Sequence, residues 1–281
     1  MPQGDADVMS DLHRMRGRVL ICAGSDSGGG AGVQADIKAV TGLGGFAMTA
    51  ITALTAQNTE GVHDVHEVHE EFISKQMEVV LNDLGADCIK TGMLHSIPVI
   101  ETVRKALDDF APDVPLVVDP VMVAKGGHPL LESQALEAMK RKMVACATIL
   151  TPNIPEAALL TAREIKSRDD MLRAGEALLS LGPKHVLMKG GHMEGSELVD
   201  ILISQEGEPV EFRGQRIDTA HTHGTGCTTA SAIAAGLAQG LGVEDAVARA
   251  RDYVRKAILS APGYGHGHGP LNHAHTLKVD I

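Results

Sequence analysis

The stretch RVLICAGSDSGGGAGVQADIKAVTGL, residues 18–43, sets the fold class. Its opening apolar run ends at Gly24 and has the length and pattern of a buried strand. SDSGGGAG (25–32) follows as a tight glycine loop. Residues 33–43 then read as a helix, with Val33, Ile37 and Val40 on one face.

The same alternation continues outward. A second strand is predicted over 47–56, ending in Gln57-Asn58, and a helix over 70–84. Residues 88–93 are strand-like, 97–110 helical, 116–122 strand-like and 130–144 helical. A short strand at 148–150 stops at Thr151-Pro152-Asn153, and helices are predicted at 156–160 and 169–181. A strand over 185–189 ends in Gly190-Gly191, and 196–204 with 209–217 reads as a β-hairpin turned at Gly207. Helices from Gly224 to about 239 and over 243–259 complete the pattern. Strands alternating with helices of this length predict an α/β fold with a central, mostly parallel sheet covered on both faces. No Pro/Ser-rich linker divides the chain, so a tail (1–17) and one domain (18–281) are expected. Ligands of such sheets bind outside the carboxyl ends of the strands. The residues predicted to lie there are Gly24, Asp26, Gln57, Met93, Asp119, Val121, Asn153 and Lys189.

Bulk numbers narrow the function. The 281 residues are 44% apolar, enough for one large core. Twenty-five basic against 36 acidic side chains leave a net charge of −11, and only 2% are aromatic. Such a chain lacks the phosphate-neutralising charge and the stacking platforms of a nucleic-acid binder. The four cysteines form no C-x-x-C pair, which argues against a zinc or redox framework and for reduced thiols in a cytoplasm. No signal peptide or membrane-spanning run is read.

HTHGTGCTTASAI (221–233) carries the densest chemistry. Two glycines bracket Thr225, Cys227 follows, and a small-residue helix begins. The unpaired amides of a first helical turn attract anions such as a phosphoryl group in transfer. Cys227 in that turn is predicted to have a lowered pKa and to be enriched in thiolate. The competing reading is an ordinary helix start with a small packing cysteine.

Other motifs are weighed beside it. Gly30-Ala31-Gly32-Val33-Gln34-Ala35 fits a loose dinucleotide pattern, but the acidic residue about 20 positions on is missing. No G-x-x-x-x-G-K-[ST] exists, so an ATP user here needs another architecture. In TPNIPE (151–156), Asn153 caps the next helix, or Asn153 and Glu156 hold water on a phosphate-bound Mg²⁺. Lys189, planted at a strand end before Gly190-Gly191, is a solvated lysine or a phosphate contact. The histidines of HDVHEVHE (63–70) and of the glycine-rich tail 263–275 lack a metal-ligand pattern, and no catalysis is assigned to them.

Together these stretches resemble the hydroxymethylpyrimidine/phosphomethylpyrimidine kinases of thiamine biosynthesis, a branch of the ribokinase-like family. The matching motifs are AGSDSGGGAGVQAD (23–36), ITALTAQNT (51–59), KTGML (90–94), VVDPVM (117–122), LTPNIPEA (150–157), LMKGGH (187–192) and HTHGTGCT (221–228), in family order. The resemblance implies a single three-layer ribokinase-like domain, a homodimer, and ATP with Mg²⁺ as co-substrate and ion. It implies phosphorylation of 4-amino-5-hydroxymethyl-2-methylpyrimidine and then of its monophosphate. Gln57 would bond the pyrimidine, with Gly24, Asp36, Met93 and Val121 as further pocket positions. Asn153, Lys189 and Thr225 would face ATP, with Glu156 on the metal through water. Gly224 and Gly226 would form the anion hole and Cys227 the base. The family's usual D-P-S-G-G is here Asp26-Ser27-Gly28-Gly29-Gly30, which predicts a looser loop. Residues 124–129 (AKGGHP) are a candidate lid. Rival readings are a pyridoxal kinase and a non-catalytic ligand sensor.

Overall fold

A computed structural model of the chain describes residues 15–123, 127, 130–193 and 195–277. The candidate lid, apart from Gly127, and most of the N-terminal tail lie outside the described residues.

The strands are β1 (Arg18–Ala23), β2 (Phe46–Ile51), β3 (Ala53–Gln57), β4 (Val62–Glu67), β5 (Cys88–Thr91), β6 (Leu116–Val118), β7 (Ile149–Leu150), β8 (His185–Met188), β9 (Glu197–Ser204) and β10 (Val210–Gln215). The longer helices are α1 (Gly32–Gly42), α2 (Glu70–Asp83), α3 (Ile97–Phe110), α4 (Ile154–Thr161), α5 (Arg168–Leu179), α6 (Thr225–Ala238) and α7 (Val243–Leu259). Eight strands form one sheet in the order β10-β9-β8-β7-β6-β5-β1-β2. β2 through β8 in that sheet run parallel, while β9 and β10 close one edge as an antiparallel hairpin.

Alternate residues of each strand enter opposite cores. Leu20, Ile89, Val118, Leu150 and Val186 pack with α2 to α5 on one face. Val19, Ile21, Cys88, Val117, Ile149 and Leu187 pack with α1, α6 and α7 on the other. Burial on both faces explains why these strands read as unbroken apolar runs. The expected α/β domain with a mostly parallel, doubly covered sheet is therefore present.

Several elements differ from the sequence reading: β4 occupies 62–67, where no strand is predicted, and the strand predicted over 116–122 ends at Val118. The single strand predicted over 47–56 is broken at Thr52, whose backbone N–H bonds the Ala23 carbonyl and whose hydroxyl bonds the Met93 carbonyl. The chain then leaves the main sheet, and β3 pairs antiparallel with β4 as a small flap. The helix predicted over 130–144 is an irregular run of 3₁₀, α and π turns between Ser133 and Cys146. Those changes of pitch bring Ala135, Met139, Met143 and Val144 all into the core.

Candidate active site

The carboxyl ends of β1, β5, β6, β7 and β8 open into one cavity of about 460 Å³. The β3–β4 flap and the N-terminus of α6 close its sides. Its first wall is the glycine loop after β1. The buried Asp26 carboxylate accepts the amides of Gly28 (2.8 Å), Gly30 (3.0 Å) and Ala31 (2.7 Å), and His223 Nε2 lies 2.8 Å from it. Burial pushes this carboxyl up, but His223 and the amides outweigh it and hold it below the usual range. The Ser27 hydroxyl adds two bonds to the Gln57 backbone. The loop thus carries hydrogen bonds between Asp26 and its own amides and between Ser27 and the end of β3. Gly224 sits against it with φ at +83°, and a Cβ there would collide with the Gly30 carbonyl, so glycine is required.

A charged cluster forms the opposite end. Lys189 Nζ pairs with Asp119 Oδ1 at 3.0 Å, and Thr151 Oγ1 bonds the same oxygen at 3.2 Å. Asn153 and Glu156 form a reciprocal capping box at the start of α4: the Glu156 amide donates to Asn153 Oδ1 and the Asn153 amide to Glu156 Oε2. The helix-capping role weighed for Asn153 is therefore present, and both residues also line the cavity. Burial, with Asp119 adding to it and Lys189 opposing, pushes the Glu156 carboxyl up to about 7. Burial works against the charge on Lys189, yet Asp119 and Glu156 carry it above its ordinary range.

Two carboxylates and one lysine around an oxygen-lined space suit a hard divalent cation that keeps its waters. Among the described residues no cluster of three or more His, Cys, Asp or Glu forms a protein cage for a metal. Asp119 and Glu156 are the cavity residues whose oxygens could hold a hydrated Mg²⁺ that arrives with phosphates.

Between the two ends lies the first turn of α6. Thr225, Gly226 and Cys227 line the cavity, and none of their amides can have an intrahelical partner. The thiol corrects the sequence reading. Cys227 is partly exposed to the cavity, yet desolvation by the protein around it pushes the thiol up to about 12, with Asp36 and Asp119 adding to the rise and Lys90 and the Gly32 amide opposing it. The shift is upward, opposite to the lowered pKa expected of a thiol in a first helical turn.

Residues 26–272 match the family described as phosphomethylpyrimidine kinase. The chain belongs to that family. It is 46% identical to the hydroxymethylpyrimidine/phosphomethylpyrimidine kinase of Streptomyces coelicolor, covering 92% of this chain and 95% of that one. It is 47% identical to a bifunctional thiamine biosynthesis protein of Geobacter sulfurreducens, but spans only 52% of that longer protein. A solved phosphomethylpyrimidine kinase of Clostridium difficile is 42% identical with a TM-score of 0.76, over 86% of this chain and 99% of that one. A Bacillus subtilis pyridoxal kinase solved with ADP is 33% identical with a TM-score of 0.85, over 92% and 98%. Being a member of this kinase family, the protein is a phosphotransferase with the ribokinase-like fold.

Of the positions carried over from the family, Gly24, Gln57, Met93, Val121, Asn153, Glu156, Lys189, Gly224, Thr225, Gly226 and Cys227 all line this cavity. Asp36 does not. It is fully buried behind the wall, with Oδ2 2.8 Å from Lys90 Nζ and Oδ1 accepting the Ser231 hydroxyl at 2.7 Å. A buried carboxylate needs those partners, and they hold it away from the cavity. Gln57 is set by Thr55 Oγ1 at 3.2 Å and lies 3.4 Å from His223 Nε2.

Motif reading passed over three contributors. Lys90 was visible as a lysine inside an apolar strand. The pairing of Asp119 with Lys189 joins residues 70 positions apart, and no local pattern signals it. The C-terminal segment also reaches the site: His268 lines the cavity, its amide bonds the Thr59 carbonyl at 2.8 Å, and His223 bonds the Gly269 carbonyl. Its glycine-rich composition suggested only an irregular tail.

Proposed function

We propose that this chain phosphorylates 4-amino-5-hydroxymethyl-2-methylpyrimidine with Mg-ATP, and then phosphorylates the monophosphate in the same site. One observation carries the reading. Gln57, the Lys189–Asp119 pair, Glu156 and the first turn of α6 (Thr225, Gly226, Cys227) all line one cavity. An alcohol held at one end and a nucleotide at the other would meet at that turn.

Phosphoryl transfer asks the protein mainly for position and electrostatics. Gln57 would read the aminopyrimidine edge, because its amide both donates and accepts. Lys189 would contact the ATP phosphates. Glu156, through water, and Asp119 would hold Mg²⁺, which would supply neutralisation of phosphate charge. The Gly224 to Cys227 amides would hold the travelling group.

Cys227 would accept the hydroxymethyl proton. A thiol titrating near about 12 reaches its thiolate at pH 7 for roughly 7 kcal/mol. Turnover at about 1–100 s⁻¹ corresponds to a barrier of roughly 15–17 kcal/mol, so that step fits within it. Homodimerisation and a cytoplasmic location belong to the same proposal; they rest on the resemblance and on four unpaired cysteines. No helix among the described residues is long and apolar enough to cross a membrane.

The likeness to a pyridoxal kinase supports a second reading, in which pyridoxal is also accepted. A mass-spectrometric assay of the pyrimidine, its monophosphate and pyridoxal, each with Mg-ATP, separates the two. Conversion of the pyrimidine to its diphosphate is expected. Phosphorylation of pyridoxal alone would replace the first reading with the second.

A further inference from the structure

β5 carries a lysine where its neighbours carry core residues. Cys88, two residues earlier on the same strand face, packs against α1 and α6. Lys90 follows it into that face and is fully buried. Asp36 of α1 takes its ammonium at 2.8 Å, and Ser231 of α6 anchors the other Asp36 oxygen at 2.7 Å. Ser231 lies one helical turn beyond Cys227. Lys90 also lines the cavity, next to Gly92, and Gly226 and Cys227 line the same cavity.

Burying an ion pair this completely is seldom the most stable solution, since apolar residues of similar volume do as well or better. Its place inside the sheet, lining the same cavity as the first turn of α6, points to a use for the charge. We infer that Lys90 is a positioning residue for phosphoryl transfer: a fixed cation, held by Asp36 and Ser231, that favours negative charge at Cys227 and at the first turn of α6. This rests on the proposed role of that turn.

The charged and titratable groups around the pair are few. Asp36 of α1, Asp119 beyond β6, Cys22 of β1 and Cys227 of α6 interact with Lys90. Cys227 itself faces Lys90, Asp36 and Asp119, together with the Gly32 amide. Burial opposes the charge on both partners and lifts the Asp36 carboxyl, but at Lys90 the attraction of Asp36 and Asp119 outweighs it and raises that group above the ordinary lysine range. Among these side chains Lys90 is the one that opposes the rise of the Cys227 thiol. In a low-dielectric site such a charge also acts on the transferring group without reorganising during the reaction.

The test uses Lys90→Met and the double variant Lys90→Met/Asp36→Asn, which removes the charge without leaving Asp36 unpaired. The first readout needs no substrate: peptide-resolved alkylation of Cys227 by iodoacetamide at pH 9. Peptide mapping is required because Cys146 is exposed and will also react. In Lys90→Met the Cys227 rate is expected to fall about tenfold or more, as one pKa unit implies. In the double variant it should still be slower than in the parent. The second readout is kcat, expected to fall on the order of 10²-fold in both variants, with KM for alcohol and ATP within about threefold. Melting curves should show the double variant folded. A double variant with parent kcat and parent alkylation would overturn the inference and leave Lys90 as a partner for Asp36. If no alcohol is phosphorylated even by the parent, the proposed function fails, and the alkylation rates still decide whether Lys90 sets the charge at Cys227.

Discussion

Glu156→Gln should stabilise the ligand-free protein at alkaline pH while impairing catalysis. Glu156 is 6% exposed, and burial together with Asp119 lifts its carboxyl from 4.5 to about 7. A folded-state pKa above the unfolded value means that the folded protein holds this proton more tightly. The stabilising contribution is therefore fully present below about 4.5 and is lost as pH rises through about 7. The span of roughly 2.5 units corresponds to about 3 kcal/mol. Glutamine keeps the capping box, because its carbonyl can still accept the Asn153 amide, but it carries no charge. The variant should thus gain about 3 kcal/mol over the parent at pH 8 relative to pH 5. For a domain of this size that is on the order of 6–10 °C in Tm. Thermal melts of both proteins at pH 5 and pH 8, without nucleotide, measure the difference. The same variant should need more Mg²⁺ for half-maximal activity. An equal Tm difference at the two pH values, or a variant less stable than the parent at pH 8, would show that Glu156 is not held by burial as argued.

Three further outcomes are expected. Gln57→Leu removes a half-buried polar partner worth about 1–3 kcal/mol, so KM for the pyrimidine should rise roughly 5- to 150-fold with KM for ATP little changed. Lys189→Ala should raise KM for ATP at least about tenfold, while calorimetry without nucleotide finds pyrimidine affinity nearly intact; collapse of pyrimidine binding would assign Lys189 to the other half of the site. Cys227→Ser should lose on the order of 10²- to 10⁴-fold in kcat, and Cys227→Asp should recover part of it. Because desolvation holds the Cys227 thiol near about 12, the parent's kcat should keep rising with pH beyond 9; a plateau set by a group titrating below 8 would count against Cys227 as the proton acceptor.

The order of strands and helices was legible because periodicity is a local property. Runs such as VLICA (19–23) must be buried on two faces, and helices such as α3 and α7 show their apolar stripe within a few turns. The carboxyl ends of those strands followed directly, and with them most of the cavity. Contacts between distant segments were not legible. Thr52 ends a strand by bonding Ala23 and Met93, partners that exist only after the sheet assembles. Asp26 reads as a polar loop residue until three amides and His223 close on it.

By itself, then, the sequence determined the α/β class, the ends of the strands that would bear the site, and the kinase family through seven motifs in order. Tertiary structure alone decided the electrostatics inside that site. It placed Asp36 behind the wall with Lys90, set Lys189 against Asp119, and reversed the expected shift of Cys227. The reason is physical. Chain connectivity specifies which residues start a helix or end a strand, whereas the free energy of a charge depends on the water excluded and the countercharges brought near by segments far away in sequence.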